Sequence, residues 1–81
     1  MEPIVRNEKQ LGAALRRFRK ATSRTQSDLA GDTGKRQATI STLEGGAGTL
    51  ETLFSVLSVL ELEVIVRPRK RSKFPALGDL F

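Results

Sequence analysis

Residues 25–46 read TQSDLAGDTGKRQATISTLEGG, and this stretch decides the fold. Thr25 suits a helix N-cap, and Asp28 at the third helical position answers it and favours the positive end of the helix dipole. Leu29 and Ala30 fall on an inward face, and Gly34 ends the helix by accepting a left-handed conformation that a side chain would resist. A second short helix is expected from about Arg36 to Glu44, with Ile40 and Leu43 inward and Ala38 or Thr39 partly so. Lys35 stands just before it. Its remaining positions, Arg36, Gln37, Thr39, Ser41 and Thr42, are small polar side chains and one cation.

Upstream, Pro3 keeps the first residues extended, and Asn7 with Gln10 three positions later forms a capping pattern. Leu11, Ala14, Leu15 and Phe18 recur at helical spacing, which predicts a helix over Glu8 to Ala21. Arg16, Arg17, Arg19 and Lys20 occupy its other face, either as a solvated basic surface or as phosphate contacts, with Arg17 and Lys20 the favoured pair.

Downstream of the glycines at 45, 46 and 48, Thr49 caps a fourth helix from Leu50 to about Leu60. Leu50, Leu53, Phe54, Leu57 and Leu60 form one stripe, and Val56 and Val59 widen it beyond what a small core needs. A helix apolar on two sides is buried on two sides, so a twin subunit is expected on the second. ELEVIVR at 61–67 then changes to an alternating period, with Leu62, Val64 and Val66 on one face and Ile65 between them. A lone strand leaves its backbone groups unpaired. Antiparallel pairing with the same strand of a second molecule resolves this, and pairing with Ile4-Val5 of the same chain is the alternative. The expected dimer surface is therefore Val56, Val59, Leu62, Val64, Ile65 and Val66.

The expected organisation is a four- to five-helix, mostly α domain over 1–61, a dimerisation strand over 62–68 and a basic tail over 69–81. The tail ends FPALGDLF, and its large apolar residues Phe74, Leu77, Leu80 and Phe81 suit capture by a partner.

Composition narrows the function. A chain of 81 residues buries only about 60–65% of its unfolded surface, and without cysteine it has no disulfide to compensate. An oligomer is the expected remedy. With neither cysteine nor histidine, zinc and heme sites and imidazole chemistry are not expected. The nine carboxylates form no evident close pair, so no enzyme, cofactor or small-molecule substrate is expected. A net charge of +5 favours a polyanionic partner. MEPIVRNEKQ lacks the apolar core of a signal peptide, and glutamates interrupt the apolar stretch 50–66, so the expectation is a cytoplasmic protein without a membrane span.

Two short helices about a tight turn match the helix-turn-helix, whose second helix lies in the DNA major groove. Gln37 is best placed to read a base, because an amide donates and accepts at once. Arg36 suits guanine or phosphate, Ala38 the thymine methyl, and Ser41 or Thr42 a shorter contact. Gln26 and Ser27, at a helix N-terminus, suit a phosphate, and Lys35 and Thr39 complete the expected DNA-binding set.

TQSDLA, TG and ATIS followed by LEGG resemble the helix-turn-helix of the lambda-repressor and Cro superfamily, the XRE family. The resemblance covers roughly Leu11 to Leu60. It implies that Gln26 contacts backbone or base, that Arg36, Gln37, Ala38 and Ser41 face the groove, and that Glu44 holds the fold. RQATIS with the later LELEVIV is more similar still to HipB-type antitoxins. That likeness implies a dimeric repressor with paired C-terminal strands and an inverted-repeat operator. It also implies binding of a HipA-type serine/threonine kinase toxin and repression of the protein's own operon; Phe81 echoes the large apolar residue that ends the family's tail. A freestanding regulator without a toxin partner and a protein-interaction adaptor are the alternatives.

Overall fold

A computed structural model describes residues 2–69, and its helices are α1 (Glu8–Ala21), α2 (Gln26–Thr33), α3 (Gln37–Glu44) and α4 (Leu50–Val59). α3 packs against the other three helices, and α2 also packs on α4. Ile40, Leu29 and Val56 are the most completely buried side chains, at 0%, 1% and 1% exposure. They belong to one cluster with Leu15, Ala30, Leu43, Leu53, Leu57 and Leu60. Each such side chain contributes about 1.5–3 kcal/mol of transfer free energy, so this cluster dominates the stability of the domain.

The helix starts follow from local chemistry. Asn7 Oδ1 accepts from the Gln10 amide at 2.8 Å, and Gln10 reaches back one residue further than expected, to the Arg6 amide at 2.7 Å. Thr25 and Asp28 make the full reciprocal box, each side chain accepting from the other's amide, at 3.0 and 2.9 Å. Thr49 caps α4 through the Thr52 amide. α3 starts differently: Arg36 stands at its N-cap position and supplies no side-chain cap.

All four helices stop in the same way, at a residue with positive φ: Ser23 (59°), Gly34 (68°), Gly46 (98°) and Glu61 (56°). In each case the next amide donates five residues back, closing off a carbonyl that the helix leaves open: Arg24 to Arg19, Lys35 to Ala30, Ala47 to Thr42 and Leu62 to Leu57. At Gly34 and Gly46 the missing Cβ makes this conformation cheap, whereas Ser23 and Glu61 adopt it against a side chain. The stop after α4 also lays Leu62 against the core.

Gly12 sets the distance between α1 and α3. A Cβ there would lie 2.5 Å from the Glu44 carbonyl oxygen and 2.8 Å from that of Leu43. Only glycine lets α1 come this close to the end of α3.

α4 corrects the expected stripe. Leu53, Val56, Leu57 and Leu60 face the core, while Leu50 and Phe54 are 73% and 55% exposed. Val56 therefore belongs to the interior of its own chain and is not available to a twin subunit. Glu51, Ser55 and Ser58 form the polar stripe of the helix at i, i+4 and i+7, and Leu50 and Phe54 lie exposed beside it. Val59 is half-buried. Residues 62–69 have no strand partner: among the described residues there is no strand, and Ile4 and Val5 are not paired with them. Val64, Ile65 and Val66 are exposed at 51%, 72% and 86%. No described helix is long and apolar enough to cross a membrane. The tail positions Phe74, Leu77, Leu80 and Phe81 lie outside the described residues.

Candidate nucleic-acid interface

The inward side of α3 is fixed by Ile40 and Leu43, so helical geometry turns Gln37, Ala38, Ser41 and Thr42 outward, and all four are exposed. Thr39 lies at the flank and is half-buried. Arg36 is exposed immediately before the first turn of the helix. The positions expected to meet base edges thus form one polar surface on a helix whose reverse face is locked into the core.

That surface is held by a buried polar network at the other end of α3. Arg19 Nε and Nη2 donate to the Glu44 carboxylate at 2.6 and 3.0 Å, a two-pronged pairing, and Arg19 Nη1 donates to the Arg24 carbonyl at 2.8 Å. The Arg19 and Glu44 side chains are only 8% and 5% exposed. Gln26 Nε2 adds a third bond to Glu44, at 3.1 Å. The network ties the end of α1, the start of α2 and the end of α3 together, and among the described residues no buried side-chain polar atom is left without a partner.

The ionisation of this pair follows. Burial pushes the Glu44 carboxyl up, but the bonds from Arg19 and Gln26, with the charges of Arg19 and Arg16, outweigh it and hold the group below its ordinary value. The bond to Glu44 raises Arg19 above the ordinary guanidinium value, against the effect of burial.

The structure engages three of these polar side chains within the chain itself. Arg19 is no part of a solvated basic face; it is the inner partner of Glu44. Its position four residues after Leu15 and seven after Gly12 puts it on the inward side of α1, a spacing that identifies it in retrospect. Gln26 is half-buried and gives one of its two amide protons to Glu44. Lys35 is half-buried and ion-paired with Glu51 Oε1, linking the turn to α4. That contact lowers the exposed Glu51 carboxyl, chiefly through the hydrogen bond from Lys35.

Arg17, Lys20 and Arg36 keep the expected exposure, and none has an ion pair among the described residues. Arg24, by contrast, pairs with Asp32 at 3.2 Å. Ser27 Oγ donates to Gln37 Oε1 at 3.1 Å, so the structure joins the starts of α2 and α3 through two of the expected site residues. No hydrogen bond ties Arg17 or Lys20 to that pair among the described residues.

Comparison with known proteins agrees with this geometry. Residues 10–62 match the model of the helix-turn-helix domain family. A HipB chain from a HipA–HipB–O2–O3 complex superposes with a TM-score of 0.77 at 35% identity, covering 85% of this chain and 100% of that one. HipB from an O4 20mer complex gives 0.78 at 35% identity, with the same coverage. A serine-to-alanine variant of HipB in an O2 20mer complex gives 0.79 at 33% identity, covering 86% of this chain and all of that one. No curated protein matches by sequence. With its four-helix frame, its polar α3 face and a family match over most of its length, this chain belongs to the helix-turn-helix family, in its HipB-like form.

Proposed function

We propose that the protein is a dimeric, sequence-specific DNA-binding repressor that doubles as a HipB-like antitoxin. In this role it binds a HipA-like serine/threonine kinase and represses its own operon. The observation that carries the DNA half is the α3 surface: Gln37, Ala38, Ser41 and Thr42 are exposed on one side, and Ile40 and Leu43 are buried on the other. Such a helix, braced by α2 and carrying an amide at its first turn, fits the major groove. Arg17, Lys20 and Arg36 supply cations for the phosphates flanking it.

The dimer half rests on apolar surface that one chain leaves open. Val64, Ile65 and Val66, with Leu50 and Phe54 of α4, are exposed in the monomer. Antiparallel pairing of residues 62–68 across a two-fold axis would satisfy their backbone groups and cover these side chains. The kinase half draws support from likeness to HipB, which occurs in a complex with HipA. The tail residues Phe74, Leu77, Leu80 and Phe81 are the proposed contacts.

The test is base discrimination at one position. Gln37→Ala should cost about 1–3 kcal/mol of preference for the cognate base in each half-site, read by gel shift at physiological salt on singly substituted duplexes. An unchanged preference removes α3 from the groove.

A further inference from the structure

α1 meets α3 along one line. A Cβ on Gly12 would lie 2.5 Å from the Glu44 carbonyl oxygen, and Arg19 holds the Glu44 carboxylate. These two positions of α1 are two turns apart and share a side, and that side is the seam with α3. The seam has two flanks. On one are the buried Leu15 of α1 and Ile40 of α3, which belong to the core. On the other are Arg16 of α1 and Gln37 and Ser41 of α3, all exposed.

Turned about the axis of α1 from Gly12, Arg16 comes at about 40°, Lys9 at about 60°, Lys20 at about 80° and Arg17 at about 140°. Arg16 therefore stands nearest the seam, on the flank that carries the groove-facing side chains, and Arg17 points away from it. The charge of Arg16 helps to hold the Glu44 carboxyl below its ordinary value, in keeping with a guanidinium beside the end of α3. That carboxylate is already met by Arg19 and Gln26, and Arg16 has no ion pair among the described residues. Its fork of N–H donors is left for an external anion, and a phosphate takes two of them at once.

We infer that Arg16 is the principal α1 contact to the DNA backbone, ahead of Arg17, and grips a phosphate beside the end of α3. The inference rests on the groove-reading role of α3 proposed above and adds a residue to it.

The test uses the full chain, a duplex that the wild-type protein selects from a randomised library, and an unrelated duplex, with affinity measured over a range of salt concentrations. Arg16→Ala should weaken both duplexes by the same factor. It should also flatten the slope of log affinity against log salt by about 0.9 for each Arg16 on the DNA, or about 1.8 in a dimer. Arg16→Lys keeps the charge and should restore most of the slope, while Arg17→Ala should flatten it less than Arg16→Ala does. An unchanged slope in Arg16→Ala, or a greater flattening in Arg17→Ala, would overturn the inference. So would a loss confined to the selected duplex, which marks a base contact. A wild-type protein that selects no sequence would overturn the groove-reading role itself, and the place of Arg16 with it.

Discussion

The two ends of this small domain are finished to different degrees. From α1 to α3, the chain satisfies itself. Helix starts are capped at Asn7 and Thr25, the one buried cation meets its carboxylate, and the apolar side chains of α2 and α3 close on one core. From α4 onward, large apolar side chains stay in water: Leu50 and Phe54 on the helix, then Val64, Ile65 and Val66 beyond it. The first region needs nothing outside the chain to hold its shape. The second has surface and backbone groups that a single chain leaves uncovered. A reading head built in one subunit and a seam built from two is the division of labour that this difference suggests.

The sharpest way to break the self-contained region is to remove one member of its buried pair. Glu44→Ala leaves Arg19 charged, enclosed and unpaired, which costs about 3–5 kcal/mol. The net stability of a domain this size is only about 4–12 kcal/mol, so the variant should be close to unfolded in thermal or urea denaturation. The solvent-facing Glu51, paired with Lys35, gives the contrast, because Glu51→Ala should leave the denaturation midpoint nearly unchanged. Protonation tests the same group. The carboxyl of Glu44 is depressed in the folded state, so its contribution is fully present above the ordinary carboxylate value of about 4.3 and is lost as pH falls through the lower folded value. Wild type should therefore lose stability with acid over that window, and a protein lacking Glu44 should lose less of it.

Two glycine substitutions give a smaller and oppositely signed pair. Gly12→Ala drives a methyl into the backbone of Glu44 and Leu43 and should cost about 1–3 kcal/mol. Gly31→Ala, in a helix with open space around it, should stabilise by about 0.4–1 kcal/mol. Equal effects at the two sites would mean that α1 and α3 do not approach as closely as described.

Legibility in the sequence follows the range of the interactions. The limits of α1, the Thr25–Asp28 box and the stop at Gly34 depend on residues a few positions apart, and each is readable from spacing. The outward set on α3 was equally legible, because Ile40 and Leu43 fix its phase. Arg19 was misread because a cation among Arg16, Arg17 and Lys20 looks solvated, and its partner Glu44 lies 25 residues away. α4 failed differently: Glu51, Ser55 and Ser58 mark one outer stripe, but Leu50 and Phe54 beside it are apolar and were counted with the core row. Gly12 gave no local sign at all, since its requirement comes from the end of α3.

The central claim is that two copies of the α3 surface act together, held at a fixed separation by residues beyond α4. Hydroxyl-radical footprinting of the full chain on a duplex selected by the wild-type protein tests it most directly. The expected result is two equivalent protected patches related by a two-fold axis, with centres about one helical turn, or a multiple of it, apart. A single unrepeated patch would contradict it.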